Sequence, residues 1–397
     1  MGGRKRAVLV GINYGGTKDE LRGCHNDVAR MRRCLLDRFG FDDADIRVLV
    51  DAGGAEPPAM PTGANIRGAL ERLVADARPG DALFFHFSGH GNRMPAETGD
   101  DDDTGFDECI TPCDHNPIQD QDLKEIVAKV PDGCRFTIVL DSCHSGGMVE
   151  STKEQIGSST RQRSQAPQPE AQTPPPFGAS LLRIVRGMFQ SLGVRLTRRG
   201  GLPPAPETKA ELMNIRNRSL PLPSFIEMLR ERTGRDDVGV GSIRTTLFRH
   251  FGDDASPKVK AFVQAMAARL RQGGGEPPVA VDTVKWSSPE QEARSVELKE
   301  VHAGTPASVA VPRNGVLISG CQTDQSAADA TAADGTSYGA LSNAIQAVLA
   351  GKKHGTVSNR ELVLKARELL SSLAKQGVTQ QPGLYCSDEL ADLPFIC

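Results

Sequence analysis

The strongest constraint in this sequence is a pair of short apolar runs that each end on a reactive side chain. Asp81–Ser88 (DALFFHFS) passes directly into Gly89-His90-Gly91, and Phe136–Leu140 (FTIVL) passes into Asp141-Ser142-Cys143-His144-Ser145-Gly146-Gly147. Runs of this length and apolarity suit strands buried on both faces of a parallel sheet. Ala7–Ile12 (AVLVGI), Ile46–Val50 and Gly315–Gly320 (GVLISG) read the same way, and Leu384-Tyr385-Cys386 reads as a last short strand. Between them, Val28, Met31, Leu35 and Phe39 recur at helical spacing. So do Ile66, Leu70 and Leu73 within Asn65–Ala77, and Leu341, Ala344, Ile345 and Val348. Ser358 and Glu361 form a capping box ahead of Leu362, Ala366, Leu369 and Leu373. Strands alternating with helices imply an α/β fold whose central sheet is mostly parallel and flanked by helices. Ligands gather beyond the carboxyl ends of such strands. His90 and Cys143 both stand there.

The chain has 397 residues, 38% hydrophobic and 24% charged, enough to bury a sizeable core. Its net charge of -3 gives nucleic acid no general attraction. No apolar run approaches the roughly 20 residues of a membrane span. The basic start Met1-Gly2-Gly3-Arg4-Lys5-Arg6 leads into a strand pattern, not a signal core, and Arg6 stands where myristoylation wants Ser or Thr. With the odd count of 9 cysteines, this points to a reducing, cytoplasmic setting without a disulfide framework.

Three regions are expected: a large one over 1–150, a linker over 151–220, and a smaller one over 221–397 that completes the sheet. Ser158–Pro176 and Gly200–Pro206 give the linker a partly disordered composition. Within it Leu181, Ile184, Val185, Met188 and Leu192 keep helical spacing among Arg183, Arg186 and Arg195. Such a basic amphipathic stretch packs on its own protein, or meets a membrane surface or a partner groove.

A thiol attacks peptide carbonyls only as thiolate, so it needs a base within reach. His90 and Cys143, separated by 143 − 90 = 53 positions, fit that need at two strand ends. Glycines 89, 91, 146 and 147 let backbone approach a substrate, and the amides of Gly91 and Cys143 suit an oxyanion hole. Asp141, two positions before Cys143, points to the same side in extended chain. A carboxylate there opposes thiolate formation unless the substrate brings a cation. Other chemistries compete. His86 and His90 form an H-x-x-x-H without the glutamate of a metallopeptidase. Cys109, Cys113 and His115 suit zinc but lack a fourth ligand, and Gly11–Gly16 lacks any phosphate-loop pattern. Asp100-Asp101-Asp102-Asp103, with Asp107 and Glu108, is either a solvated acidic loop or a seat for a hard divalent cation. Asp120, Asp122 and Glu150 make a second oxygen cluster.

Several segments resemble the plant-type (type II) metacaspases: Leu9-Val10-Gly11-Ile12-Asn13-Tyr14, Gly23-Cys24-His25-Asn26-Asp27-Val28, Phe87-Ser88-Gly89-His90-Gly91, Asp141 through Gly147, and Ile318-Ser319-Gly320-Cys321-Gln322. The resemblance runs from near residue 5 to Cys397 and is loosest in the linker. It implies a caspase-like fold, calcium-dependent activation, self-cleavage, and cutting after Arg or Lys. It carries the catalytic His onto His90 and the catalytic Cys onto Cys143. Asp27 becomes the other pocket carboxylate, or else a charge serving a helix N-terminus. A second cysteine near the active centre corresponds to Cys321, for which a structural role is expected. Calcium would be held by acids drawn from Asp101, Asp102, Asp103, Asp107, Asp120, Asp122 and Glu150. Glu207-Thr208-Lys209-Ala210-Glu211 resembles the self-cleavage segment, with Lys209–Ala210 as the bond cut and Lys209 as the internal occupant of the pocket. The expected protein is a monomeric zymogen acting on protein or peptide substrates, with a role in stress, defence or cell-death proteolysis implied by the family. The alternative is an inactive, calcium-responsive scaffold on the same fold.

Overall fold

The computed structural model describes residues 3–54, 56–95, 106–143, 154–157, 212–271, 315–322, 325–352 and 356–396. Its centre is a seven-stranded sheet. The strands are β1 (Lys5–Gly11), β2 (Ile46–Val50), β3 (Ala82–Ser88), β7 (Arg135–Asp141), β8 (Glu154–Ile156), β10 (Gly315–Ser319) and β13 (Gly383–Tyr385), in the order β2-β1-β3-β7-β10-β13-β8. The pairings from β2 to β10 are parallel, whereas β13 runs antiparallel to β10 and β8 antiparallel to β13. The sheet is therefore mixed, with its parallel majority as the apolar runs require.

Alternation within the strands divides the core in two. Val8, Val10, Phe85, Phe87, Ile138 and Leu140 face α2 (Gly63–Ala75) and α3 (Asp120–Val127). Leu9, Phe84, Val139 and Ile318 face α1 (Cys24–Phe39), α7 (Ala340–Gly351) and α8 (Asn359–Ser372). Each fully buried side chain of this size contributes roughly 1.5–3 kcal/mol, so both faces are held tightly. Helix α2 begins at Gly63, earlier than the apolar pattern alone suggests, because Thr62 Oγ1 accepts the Asn65 N–H at 3.2 Å and caps the end. Gly40 stops α1 in the left-handed region, φ 65°, returning its N–H to the Leu35 carbonyl.

Two small sheets sit at the carboxyl edge. One joins β4 (Gly91–Pro95), β5 (Phe106–Ile110) and β6 (Ile118–Gln119). Residues 222–271, for which the sequence pattern suggests no element, form α4 (Leu222–Thr233), α5 (Ile243–Phe251) and α6 (Pro257–Arg271) and cover that sheet, with Phe225, Leu229, Leu247 and Val259 against Met94 and Cys109. The other sheet has the order β12-β11-β9, from β12 (Ser337–Gly339), β11 (Ala328–Ala332) and β9 (Leu212–Asn217). The far end of the expected linker is thus a strand.

Candidate active site

Strands β3 and β7 lie side by side with Ser88 opposite Asp141. His90 and Cys143 each stand two residues beyond that pair, so the parallel register brings them to neighbouring strand ends. Gly91 then lies against the Cys143 carbonyl so closely that any Cβ there would collide with it. Only glycine permits this approach. Both His90 and Cys143 are buried.

The surroundings of His90 fix its tautomer. Its Nε2 lies 2.6 Å from the Asp19 carbonyl oxygen, an atom that can only accept, so Nε2 carries the proton. Its Nδ1 is buried and has no hydrogen-bond partner among the described residues. Burial holds the imidazole below its ordinary pKa, with the Asp19 carbonyl opposing that shift. The ring is therefore a neutral base at neutral pH. Cys143 Sγ donates to Asn217 Oδ1 at 3.3 Å and accepts the Ala327 N–H at 2.9 Å. Cys321 shares a small apolar cluster with Cys143 and Ala327, and its thiol donates to the Gln325 carbonyl at 3.2 Å.

Beside the thiol is a buried acidic pocket. Asp27 opens from the first turn of α1, Asp141 ends β7, and Asp329 comes from β11. Into this pocket reaches Arg218, which is fully buried. Its Nη2 donates to Asp27 Oδ2 and to Asp329 Oδ1, each at 2.9 Å, and its Nη1 donates to Ser88 Oγ and the Asp141 carbonyl, each at 2.8 Å. The Asp141 carboxylate lies 3.4 Å from Nη1 and accepts the Ser342 N–H at 2.7 Å. Asp27 also accepts from the Gly339 N–H and the Ser88 hydroxyl. Burial raises the Asp27 carboxyl to about 7, while the Arg218 guanidinium opposes that rise. Gly339 has to be glycine, since a Cβ would strike both Asp141 and the Arg218 guanidinium.

The backbone of Arg218 is hydrogen-bonded on both sides. β9 pairs antiparallel with β11, and the Arg218 N–H donates to the Ala327 carbonyl at 2.9 Å. Its own carbonyl accepts the Gly91 N–H, also at 2.9 Å. One of the two amides expected to stabilise an oxyanion therefore already holds a carbonyl oxygen. Sequence reasoning named Asp27, Asp141 and Gly91 but missed Asp329, Ser88 and Arg218. Asp329 did leave a signal, a lone acid among the small residues Ala327, Ala328 and Ala330. Arg218 left none among the many bases near the linker. Lys209 and Ala210 lie outside the described residues, and the pocket's occupant is Arg218, where the sequence suggested Lys209.

The other candidate sets separate. Cys109 packs with the helices over β5, whereas Cys113 packs against the core on the α2 side, so no zinc set forms from them. His86 Nε2 lies 3.0 Å from Ser342 Oγ, and burial pushes its pKa down to about 3. Of the expected calcium ligands, Asp101, Asp102, Asp103 and Glu150 lie outside the described residues. Asp107 is buried and both its oxygens are engaged, by Lys258 Nζ and Arg244 Nη2 at 2.7 Å each, so it does not stand open to a metal. Asp120 is pushed up to about 6 by burial, with Lys258 opposing, and Asp122 is raised for the same first cause. Among the described residues, no group of three or more His, Cys, Asp or Glu side chains comes together in a way that could hold a metal ion. Among the described residues, no helix is long and apolar enough to cross a membrane.

Known proteins resemble this chain over part or all of its length. Residues 5–152 match the family model described as "Metacaspase, peptidase C14 domain". The chain is 46% identical to Metacaspase-4 of Arabidopsis thaliana, covering 99% of this chain and 100% of that one. It is 45% identical to Metacaspase-6 of the same plant, with 99% and 100% covered. Metacaspase-1 of Schizosaccharomyces pombe is 45% identical over 37% of this chain and 35% of its own.

Proposed function

The chain belongs to the plant-type metacaspases, a family of cysteine peptidases, and from that premise we propose a calcium-dependent endopeptidase that cuts after Arg or Lys. The observation that carries the specificity is Arg218 itself. Three carboxylates, a hydroxyl and a main-chain carbonyl meet one guanidinium with no solvent exposure. A neutral side chain in the same pocket would leave those acids buried without a counterion, at a cost of several kcal/mol. Lysine would satisfy the charge without the two-pronged guanidinium geometry.

In this reading Cys143 is the nucleophile and His90 Nδ1 its base. Nδ1 takes the thiol proton, Sγ bonds to the scissile carbonyl carbon, and the Gly91 N–H receives the developing oxyanion. Nδ1 then returns the proton to the leaving amine. Water, deprotonated by the same nitrogen, attacks the thioester and releases the carboxylate product with the thiol restored.

The geometry also fits a zymogen. While Arg218 fills the pocket and Asn217 engages the thiol, no other basic residue can enter. Self-cleavage at Lys209–Ala210, nine residues ahead of Arg218, therefore requires Arg218 to leave the pocket first so that Lys209 can enter it. Calcium, when bound, would neutralise clustered acids, with Asp120, Asp122, Asp101, Asp102, Asp103 and Glu150 as the residues to hold it. Asp107 would join them only by giving up Lys258 and Arg244.

The test is peptide cleavage and fragment mass spectrometry on wild-type, Cys143→Ala and His90→Ala protein, with calcium or chelator. Peptides carrying Arg, Lys or Leu at the cut position should be cleaved only in the first two cases, only by wild type, and only with calcium. Equal rates on the Leu peptide would defeat the specificity, and a Cys143→Ala protein that still cleaves would defeat the nucleophile.

A further inference from the structure

Tyr14 sits where it can hold His90 in place, and nothing in the mechanism above uses it. Its hydroxyl accepts the His90 backbone N–H at 2.9 Å and donates to the Thr111 carbonyl at 2.5 Å. The phenol ring lies 4.7 Å from the imidazole, centroid to centroid, tilted by 40°. The hydroxyl approaches so near Gly89 that a Cβ on that residue would come within 3.0 Å of it. One side chain therefore fixes the histidine by its ring, by its amide and by the residue before it.

The backbone at Tyr14 is strained. Its φ is 51°, in the left-handed region that aromatic residues rarely enter. Such conformations persist where the surroundings over-determine them, and they cluster at functional sites. Here the surroundings can be named. Asp51 accepts the Asn13 N–H at 2.8 Å and the Tyr14 N–H at 2.7 Å, and Thr17 Oγ1 donates to the Tyr14 carbonyl at 2.8 Å. The half-buried His25 lies 2.5 Å from the same carboxylate. The same loop then delivers Asp19, whose carbonyl accepts the His90 Nε2–H hydrogen bond. A loop folded only to connect β1 to α1 would not need a strained tyrosine buried against the imidazole.

From this geometry we infer that Tyr14 is a positioning residue for His90, held in its left-handed conformation by the Asp51 carboxylate. Ring contact sets the plane of the imidazole, the phenolic oxygen sets the height of the His90 backbone, and the two together aim Nδ1 at the thiol. The inference rests on the reading of His90 as the base of Cys143. Mispositioning of a reacting group by about 1 Å costs on the order of 100-fold in rate. Losing the hydroxyl alone, with the ring retained, lies below that.

The experiment compares wild type, Tyr14→Phe, Tyr14→Leu, Asp51→Asn and His90→Ala as full-length protein. The substrate is a peptide with Arg at the cut position, under the conditions of greatest wild-type activity. Tyr14→Phe should lower kcat about 10-fold and Tyr14→Leu about 100-fold, with KM within about twofold because neither touches the acidic pocket. The rate at which iodoacetamide alkylates Cys143 should fall in the same order, a change that lost packing alone would not produce. Asp51→Asn leaves phenol and ring intact and should lower kcat in the same direction, which keeps the test open if the Tyr14 variants fold poorly. A folded Tyr14→Phe or Asp51→Asn enzyme with wild-type kcat and alkylation rate, beside a dead His90→Ala, overturns the positioning role alone. A His90→Ala enzyme that keeps its rate removes the base and this inference with it.

Discussion

Replacing Arg218 with alanine tests the centre of this structure most directly. The wild-type guanidinium is the shared counterion of Asp27, Asp141 and Asp329, all without solvent exposure of consequence. Removing one partner from a buried, hydrogen-bonded ion pair typically costs ~3–5 kcal/mol. At roughly 2–4 °C per kcal/mol for domains of this size, the melting midpoint should fall by about 6–20 °C. The loss should be recoverable. A free guanidinium ion has the charge and the planar donors that the pocket has lost, so low millimolar guanidinium chloride should raise the midpoint of Arg218→Ala while leaving wild type unchanged. Sodium chloride at equal concentration serves as the control for ionic strength. The same variant should bind an Arg-containing peptide aldehyde without prior chain cleavage, since its pocket is vacant. A midpoint equal to wild type, with no response to guanidinium, would falsify the claim that this arginine neutralises the pocket.

Three further outcomes are expected from the same contacts. Asp141→Asn should reduce kcat/KM for Arg peptides by at least about 100-fold, since ~3 kcal/mol of a desolvated pair is at stake; unchanged kinetics would remove it from the pocket. Lys258→Met frees one oxygen of Asp107 and should tighten calcium binding measured by calorimetry, because the acid cluster loses a resident cation; unchanged or weaker affinity would dissociate Asp107 from the metal. Burial lowers His86 from its ordinary value to about 3, so the unfolded chain binds a proton that the folded chain refuses between about pH 3 and 6.5. Its contribution is complete above pH 6.5 and is lost as pH falls. Urea titrations should therefore show His86→Asn losing about 2 kcal/mol less stability than wild type between pH 7.5 and 5, and parallel losses would contradict a neutral buried His86.

Much of the architecture could be read in one dimension because the parallel sheet is buried on both faces. Its strands have to be short apolar runs, and β1, β2, β3, β7 and β10 appear as such. His90 and Cys143 were legible for a related reason: each comes directly after such a run, and a parallel register aligns the residues just beyond the last paired positions. The helices over residues 222–271 escaped notice because their apolar positions meet a small sheet that the sequence did not reveal. Strand β9 escaped because its pairing partner, β11, is more than 100 residues away in sequence, and local composition there resembles a connector.

The sequence alone determined which chemistry is on hand: a thiol, an imidazole, glycines that admit backbone, and an acid two positions before the thiol. Periodicity and motif are local properties, and those features are local. Tertiary structure alone decided which charges meet. Asp27, Asp141, Asp329 and Arg218 come from four separate stretches of chain, and only their common burial makes each depend on the others. Electrostatic energy in a protein is set by distance and by exclusion of water, and neither is written along the chain. So Arg218 could not be told from its basic neighbours until the fold enclosed it.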